Sequence, residues 1–448
     1  MSKIIPISGF PEWDMATKVI EERYLDVIRT QFRLHGFSPL ETPAVERISS
    51  LSSKGGGDNE KQIYTLGRLH GKEESTDDNK KEDDTDLALR FDLTVPMARY
   101  VAEHERELAF PCMRYAIGKV WRGERAQSGR FREFYQCDID IVGRETLPLA
   151  YDALPPVVMY GIFSEMSFGD VIVRINNRKI LEGYMNALGI VKEKHKDILT
   201  LVDKLEKIGS GEIKKQALAL GIDTVAVEKL LHFLSLEVSL SDIEHTLLKE
   251  ADDALFRGGV AELAYVVTSM RSSGMPDKAI RVDLSIARGL DYYTGTVYET
   301  VLVSHPHVGS VCSGGRYENL VSNFSDKKFP GVGMSIGLTR LIARLLEFGI
   351  ITPSSSSFAS VFIAHMGENT EKEREKIAAY LRDNNICCEL YMGEHKFAKQ
   401  ISYAVKKGYR SMIVIGEEEI KRNVITVKDL QKEVQSEMKL EDLIKALA

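Results

Sequence analysis

The sequence of 448 residues has few cysteines and no long apolar run. Cys387 and Cys388 are adjacent, and the other three of its five cysteines are far apart in sequence. No C-x-x-C pair occurs. This spacing excludes a disulfide framework and the usual zinc and redox motifs, and it favours a reducing compartment. No stretch reaches the roughly 18 apolar residues of a membrane-spanning helix. The N-terminal segment MSKIIPISGFPEWDM meets Pro, Gly, Glu and Asp almost at once, so it predicts neither a signal peptide nor an anchor.

Glycine motifs that hold phosphates are also absent. The chain has no Gly-x4-Gly-Lys-Ser/Thr loop, and the glycine-rich stretch 331–341 does not follow G-x-G-x-x-G. The histidines are scattered, so we expect no metal held by protein side chains. If the protein binds ATP, arginines are the side chains expected to hold the phosphates.

The net charge of −7 says little about partners, because it is concentrated in one place. Residues 73–86 hold eight acids and two lysines, which is a charge of −6 and leaves −1 for the rest of the chain. The segment has no apolar residue that could offset the entropy cost of ordering it. We therefore predict a solvated, disordered loop.

The hydrophobic periodicity predicts an α+β catalytic domain with a helical insertion, followed by a small α/β domain. Apolar residues at helical spacing predict a helix from Met15 to Leu34, and residues 36–47 suggest a strand that Pro43 restricts to an edge or interface. Two strands within residues 114–142 predict an antiparallel hairpin. Repeated leucines from about residue 190 to 275 predict helices. After a serine-rich linker at 352–357, strands and helices alternate as βαβαβ.

These patterns give four predicted segments. Residues 1–189 form the first part of the catalytic domain, and residues 279–350 form its second part. Residues 190–278 form the helical insertion domain between them. Residues 358–448 form the C-terminal α/β domain, whose second helical segment carries basic residues suited to phosphate contacts: Lys396, Lys399, Lys406, Lys407 and Arg410.

Two neighbouring features in the hairpin indicate a binding site. Arg122, Arg125, Arg130 and Arg132 lie within eleven residues that contain no lysine, and guanidinium forks match phosphate or carboxylate. A solvated hairpin tip with surface ion pairs is the alternative.

In the strand that follows, alternation places Gln136, Asp138 and Asp140 on one face and apolar residues on the other. Carboxylates two residues apart repel each other unless a cationic group lies between them, so an ammonium or imidazole substrate group is a candidate. A water-facing strand is the alternative.

The segment IARGLDYYTGTVYE contains Arg288, Tyr292 and Tyr293 between two strand-like runs. Taken alone, such tyrosines are usually packed side chains whose hydroxyls find a partner. The stretches CSGGRYENL and GVGMSIGLTRL are equally ambiguous alone, since their glycines only permit a close backbone approach.

Together, these segments resemble the class II aminoacyl-tRNA synthetases, and among them the histidyl-tRNA synthetase family, over nearly the whole chain. The three class motifs are matched by PLETPAVER, by VWRGERAQSGRFREFYQCDIDIVG and by GVGMSIGLTRL. The histidine-specific signatures are matched by RGLDYYTG and SGGRYENL, together with RFDLTVP. The stretch FYQCDID is more similar to eukaryotic than to bacterial members.

The resemblance implies roles for particular residues. It implies catalytic roles for Arg122 and for Arg288, which would lie beside the α-phosphate and the substrate carboxylate. The implied ATP-binding residues are Arg122 for the α-phosphate, Glu124 for adenine, Arg130 for the γ-phosphate and Arg340 for stacking on adenine. The implied histidine-binding residues are Asp92, Leu93, Thr94 and Gln136 around the α-amino group, Asp140 and Tyr293 at the imidazole, and Tyr292, Tyr317 and Arg288 around the pocket.

The implied activity is ATP-dependent ligation of L-histidine to its tRNA through a histidyl-adenylate. The resemblance implies Mg²⁺ bound through the phosphates of ATP, an anticodon-binding C-terminal domain, a homodimer and a cytoplasmic protein, with a mitochondrial product of an alternative start left open. A catalytically inactive synthetase-like regulator that binds histidine or RNA is the alternative. A synthetase for another amino acid is a second one, which RGLDYYTG opposes.

Overall fold

A computed structural model describes residues 5–52, 62–67, 86–125, 129–287, 293–318, 321 and 324–447. Nearly all of the predicted acidic loop, Arg288 and Tyr292 lie outside the described residues. The chain forms two compact units. The sheet unit comprises Met1–Pro11 and Leu25–Ile351, and the C-terminal unit comprises Glu12–Tyr24 and Thr352–Ala448. The helices near residues 190–278 therefore belong to the sheet unit, and their assignment to a separate domain stays a prediction.

Fifteen α-helices occur among the described residues. The first has the predicted bounds, and Gly36 follows its end with a φ of 81°, a conformation that suits glycine. None of the described helices has the length and apolar character needed to cross a membrane. The helices are α1 Met15–Leu34, α2 Ile48–Leu51, α3 Thr94–Glu103, α4 Leu154–Met166, α5 Arg178–Ala187, α6 His195–Val202, α7 Leu205–Ala219, α8 Thr224–Leu234, α9 Ile243–Leu247, α10 Ala254–Ser272, α11 Leu338–Glu347, α12 Glu371–Asp383, α13 Phe397–Lys407, α14 Glu417–Arg422 and α15 Leu443–Leu447.

The sheet unit is built on eight strands in the order β1-β4-β5-β10-β9-β8-β6-β7. All neighbours are antiparallel except the two edge pairs, β1 with β4 and β6 with β7, which are parallel. The strands of the sheet unit are β1 Ser38–Pro39, β2 Val45–Arg47, β3 Leu87–Leu89, β4 Cys112–Trp121, β5 Glu133–Val142, β6 Val171–Asn177, β7 Ile280–Val282, β8 Thr296–Leu302, β9 Cys312–Tyr317 and β10 Gly331–Gly337. The predicted antiparallel sheet and its hairpin, β4 with β5, are confirmed.

The predicted strand around Pro43 is wrong in detail. Residues 36–47 contain two short strands, and Pro43 lies in neither of them. Pro39 ends β1, which is the outermost strand of the large sheet and pairs only with β4. Because proline cannot donate a ladder hydrogen bond, an edge position suits it. The strand β2 pairs instead with β3 in a separate two-stranded sheet.

Strand β5 is covered on both faces. Its apolar residues Ile139 and Ile141 are fully buried, and on the opposite face Asp138 and Asp140 are only 2% and 3% exposed. The alternation that the sequence indicated is therefore present, but the water-facing strand is not. Two carboxylates buried on one face require cations or donors around them.

The helices α5 and α10 pack closely against each other. A Cβ added at Gly259 would lie 2.8 Å from the backbone nitrogen of Ile180, so glycine permits this approach. The rings of Tyr184 and Phe233 stack at 3.9 Å between their centroids, which ties α5 to α8. Buried aromatic and aliphatic contacts thus hold the helices of residues 195–272 to the sheet unit.

The C-terminal unit has a five-stranded sheet in the order β12-β11-β13-β14-β15. Its strands are β11 Val361–Ile363, β12 Cys388–Leu390, β13 Ser411–Val414, β14 Ile425–Asp429 and β15 Val434–Met438. The first three are parallel and carry the predicted βαβαβ arrangement with α12 and α13. The antiparallel strands β14 and β15 were not predicted.

Candidate functional site

A cavity of about 620 Å³ lies over the central strands of the large sheet. Segments that are far apart in sequence meet there: the start of α3, the connection from β4 to β5, β5 itself, the residues before β8, and the start of α11. Nine of the residues singled out in the sequence line it: Asp92, Thr94, Arg122, Glu124, Arg130, Gln136, Asp138, Tyr293 and Arg340. We call it the large cavity.

A second, small cavity of about 20 Å³ adjoins it. Asp140 and Tyr317 line only this small cavity, whereas Asp138 and Tyr293 line both cavities. The two cavities also share Thr94 and Ser335. The structure therefore brings together ten of the residues to which the resemblance assigns a role, and Arg288 and Tyr292 lie outside the described residues.

Arg122 follows the end of β4, and backbone and side-chain contacts hold it at the large cavity. Its amide donates to the carbonyl oxygen of Arg132 at 2.9 Å, which continues the β4–β5 ladder by one pair. Its Nε donates to the carbonyl oxygen of Phe91 at 3.0 Å, and the guanidinium lies 5.2 Å from the ring centroid of Phe134. A guanidinium oriented in this way is available to bind an anion.

The other arginines of this segment differ in their surroundings. Arg130 lines the large cavity and pairs with Glu124 at 3.1 Å, although its side chain is 57% exposed. Arg132 donates from Nε to the carbonyl oxygen of Glu124 at 3.0 Å, and Arg125 is exposed. The alternative to a binding site was a solvated hairpin tip with surface ion pairs. The pair of Arg130 with Glu124 is such an ion pair, but both residues line the large cavity.

Arg114 is the functional residue that the sequence reasoning missed. It lies on β4 directly opposite Asp140 of β5, and its Nη2 contacts Oδ2 of Asp140 at 2.6 Å. The same nitrogen donates to the carbonyl oxygen of Leu93 at 3.1 Å. Arg114 supplies a cation that the acidic face requires, so the substrate is not the only source of positive charge. The register of the predicted hairpin was the signal that could have found it.

Burial raises the pKa of Asp140 to about 6, although the charge of Arg114 and the hydroxyl of Tyr317 oppose this shift. The Tyr317 hydroxyl donates to Oδ1 of Asp140 at 3.0 Å. Burial also raises the pKa of Asp138 to about 7, and the neighbouring Asp140 adds to this shift. Negative charge on this face is therefore costly unless a donor or a cation binds to it.

Gln136 and Asp138 line the large cavity, and each has a buried acceptor atom. Nε2 of Gln136 donates to the hydroxyl of Ser335 at 2.9 Å, and Ser335 lies opposite Asp138 on β10. Among the described residues, Oε1 of Gln136 and Oδ1 of Asp138 are buried and have no hydrogen-bond partner. Buried acceptors of this kind are usually satisfied by a ligand or by water.

The start of α3 contributes one acid and one hydroxyl residue. Oδ1 of Asp92 accepts from the amide of Val95 at 3.0 Å, and burial raises the pKa of Asp92 while Arg122 opposes this shift. Thr94 is the first residue of the helix. The side chain of Leu93 is only 2% exposed and is not part of the described lining of either cavity. The described link of Leu93 to the site is its carbonyl oxygen, which accepts from Arg114.

Tyr293, Tyr317 and Arg340 complete the described part of the site. Burial raises the pKa of both tyrosines, so each hydroxyl keeps its proton at neutral pH and can donate. Arg340 lies in the first turn of α11, is exposed, and lines the large cavity. Within the described ranges, no group of three or more His, Cys, Asp or Glu side chains could hold a metal ion.

Comparison with known families gives two matches that together span most of the chain. Residues 14–341 match the family described as "Histidyl-tRNA synthetase", and residues 360–448 match "Anticodon binding domain". Two curated relatives are the proteins named "Histidine--tRNA ligase" from Clostridium tetani and Stenotrophomonas maltophilia. The first is 44% identical over 98% of this chain and 97% of the relative, and the second is 44% identical over 95% and 93%.

Solved structures agree with these matches. The crystal structure of histidyl-tRNA synthetase from Nostoc sp. PCC 7120 covers 100% of this chain and 99% of its own, with a TM-score of 0.89 and 39% identity. An "ATP phosphoribosyltransferase regulatory subunit/histidyl-tRNA synthetase" from Bacillus halodurans covers 91% and 96%, with a TM-score of 0.68 and 20% identity. The latter supports the fold alone.

Proposed function

The chain belongs to the histidyl-tRNA synthetase family and ligates histidine to tRNA, and we propose that both steps of this reaction take place at the two cavities of the sheet unit. The observation that carries the proposal is the convergence of arginines and carboxylates, from segments distant in sequence, on one cavity. In the first step the carboxylate of histidine attacks the α-phosphorus of ATP, which forms histidyl-adenylate and releases pyrophosphate. In the second step a ribose hydroxyl of the tRNA attacks the acyl carbon and AMP leaves.

Histidine binds at the acidic side, across the junction of the two cavities. The carboxylate of Asp92, the hydroxyl of Thr94 and the acceptor Oε1 of Gln136 surround the α-ammonium group. Asp140 and Tyr293 bind the imidazole nitrogens in the small cavity. A site built of buried donors and acceptors rejects apolar side chains, because they would leave these groups unpaired.

Tyr317 holds Asp140 through its hydroxyl and closes the small cavity. Leu93 lies between Asp92 and Thr94, and its carbonyl oxygen accepts a hydrogen bond from Arg114, which also contacts Asp140. Tyr292 and Arg288 complete the histidine pocket on the strength of their sequence match alone.

ATP binds on the arginine side of the large cavity. Arg122 contacts the α-phosphate and Glu124 binds the adenine amino group. Arg130 contacts the γ-phosphate, and Arg340 stacks on adenine from the start of α11. The choice of arginine fits the donor geometry that phosphate oxygens require.

No protein nucleophile is needed for this chemistry. The carboxylate of histidine and the α-phosphate repel each other, so the protein accelerates the reaction by holding them together and by neutralising the charge of the transition state. Arg122 supplies this charge from a fixed position, because its Nε is bonded to the Phe91 carbonyl and its planar group lies near the ring of Phe134. Arg288 is the second cation assigned to this role.

Magnesium fits the site as an ion carried by ATP. The described residues offer arginines where the phosphates bind, and they offer no cluster of protein ligands for a metal. Mg²⁺ carried by the phosphates of ATP would neutralise part of their charge, which is its usual mode with nucleotides.

The C-terminal unit binds the anticodon region of the tRNA. Lys396, Lys399, Lys406 and Arg410 are exposed on or beside α13, whereas Lys407 pairs with Glu389 at 2.8 Å. The exposed cations are suited to phosphate contacts that strengthen binding through counterion release.

The remaining parts of the proposal rest on the family. We assign residues 190–278 as an insertion domain, a homodimer as the assembly and the cytoplasm as the location.

Histidine-dependent exchange of pyrophosphate into ATP tests the proposal, with proline and threonine as control amino acids. Exchange with histidine alone supports it. A protein that binds histidine without exchange would be the inactive regulator, a function that the relatives do not favour.

A further inference from the structure

Asp138 is a buried carboxylate at the junction of the two cavities, and the family resemblance assigns no role to it. Only 2% of the residue is exposed, and it lines both the large and the small cavity. Its Oδ1 has no hydrogen-bond partner among the described residues. A buried carboxylate oxygen without a donor destabilises the free protein, so its presence at a cavity indicates a ligand that donates to it.

The neighbouring Asp140 differs in this respect. Its Oδ2 is bound by Arg114 at 2.6 Å and its Oδ1 by the hydroxyl of Tyr317 at 3.0 Å. Both oxygens of Asp140 therefore already have a protein donor. In the small cavity, the carboxylate oxygen that still lacks one is Oδ1 of Asp138.

None of the described charged or titratable groups around Asp138 donates a hydrogen bond to its Oδ1. Arg114 on β4 attracts it, whereas Asp140 on the same strand and Asp92 before α3 repel it. Tyr293 and Cys312 of β9 face it and keep their protons, because burial raises the pKa of both groups. On β10, the hydroxyl of Ser335 hydrogen-bonds to the carboxyl group of Asp138 and lowers its pKa, but Oδ1 has no partner among the described residues.

We propose that Oδ1 of Asp138 accepts a hydrogen bond from the imidazole N–H of the bound histidine that also faces Asp140, which makes Asp138 a further specificity-determining residue. The proposal rests on the proposed function, because it assumes that histidine is the ligand. The ring is favoured over the α-ammonium group because Asp138 reaches the small cavity with Asp140 and Tyr317, whereas Asp92 and Gln136 line only the large one.

The test measures histidine affinity by titration calorimetry on the full chain for the wild type, Asp138→Asn and Asp138→Ala. Loss of a hydrogen bond to a charged group should weaken binding by roughly 10- to 100-fold in Asp138→Ala, with a smaller loss in Asp138→Asn. The melting temperature of free Asp138→Asn at pH 8 should equal or exceed that of the wild type, because a buried charge has been removed. Lower thermal stability together with unchanged affinity would mean that Asp138 is structural.

Ile139→Val is the matched control, since Ile139 is equally buried on the opposite face of the same strand. It should lower the stability slightly and leave histidine affinity unchanged. A loss of affinity in this control as large as in Asp138→Ala would overturn the proposal, since any change in β5 would then have the same effect.

A ligand without a ring N–H identifies the group that Asp138 binds. The probe is 3-(thiazol-4-yl)alanine, which keeps the α-ammonium and carboxylate groups. The effect of Asp138→Ala should be much smaller for this ligand than for histidine. An equal loss for both ligands would assign Asp138 to the α-ammonium group and refute the proposal.

Wild-type pyrophosphate exchange separates this inference from the proposed function. If the wild type shows no exchange with histidine, the proposed function fails. If exchange is normal and Asp138→Ala binds histidine as well as the wild type, only the inference fails.

Discussion

Replacement of Arg114 by methionine should expose how much the acidic face depends on one buried cation. The side chains of Arg114 and Asp140 are only 2% and 5% exposed, and their charged atoms lie 2.6 Å apart. Methionine fills similar space but leaves Asp140 without its cation and the carbonyl oxygen of Leu93 without its donor. Removing one partner of a buried pair typically costs about 3–5 kcal/mol, so we expect a loss of this size in the free energy of unfolding.

The loss should depend on pH. Burial raises the pKa of Asp140 to about 6, and without Arg114 this pKa rises further. Because the folded state binds the proton more tightly than the unfolded state, stability decreases as the pH rises through the folded pKa. The cost of Arg114→Met should therefore be smaller at pH 5.5, where the carboxyl group is protonated, than at pH 8.

The two tryptophans provide an assay for the sheet unit alone. Trp121 ends β4 in the sheet unit, and Trp13 belongs to the C-terminal unit. In a Trp13→Phe background, urea unfolding followed by tryptophan fluorescence reports on the sheet unit. Arg114→Met, Asp140→Asn and the double variant then form a double-mutant cycle at each pH. Additivity within about 0.5 kcal/mol, or an equal cost at both pH values, would refute the reasoning.

Three further predictions concern function. Arg122→Lys should lower pyrophosphate exchange by roughly 10²- to 10³-fold, because lysine cannot bind the Phe91 carbonyl and a phosphate with one planar group. The control Arg125→Lys, at an exposed site, should have little effect, and equal activity of the two variants would contradict the role of Arg122. Replacing residues 73–85 by a short glycine-serine bridge should leave exchange and melting temperature unchanged, because the segment has no apolar residue to pack; a marked loss of either would show that it is structural. Lys399→Ala and Lys406→Ala should each lower the salt dependence of tRNA binding by about one unit in the log–log slope and leave exchange intact; an unchanged slope would remove these lysines from the tRNA interface.

Much of the fold was predictable because its signals are local. The helix from Met15 to Leu34 follows from apolar spacing and a glycine stop, and the β4–β5 hairpin follows from two β-rich runs around a polar connection. The family was predictable from its motifs and is confirmed by relatives that span nearly the whole chain. The strand β15 was missed because its residues are mostly polar and exposed, and β14 was missed because its three buried residues form too short a run to show a period.

The site was less predictable where it depends on what covers a strand. Alternation correctly placed Asp138 and Asp140 on one face, but periodicity cannot tell whether water or protein lies over that face. Arg114 was missed because a single arginine in a strand forms no sequence pattern. Only the register of β4 with β5 pairs it with Asp140.

The division of charge across the cavities explains how the site can orient its substrate. Asp138 and Asp140 line the small cavity, and Arg122, Arg130 and Arg340 line the large one together with Asp92. Histidine carries positive charge on its α-ammonium group and negative charge on its carboxylate. In the proposed site, the acids attract the nitrogen groups inward, and the arginines attract the carboxylate toward the phosphates of ATP.

Reversed binding would place the carboxylate of histidine against buried acids, which is strongly unfavourable at low local dielectric. In the proposed site, the carboxylates that select histidine therefore also point its reacting group at the α-phosphorus, so that specificity and positioning for the first step would arise from one arrangement of charges.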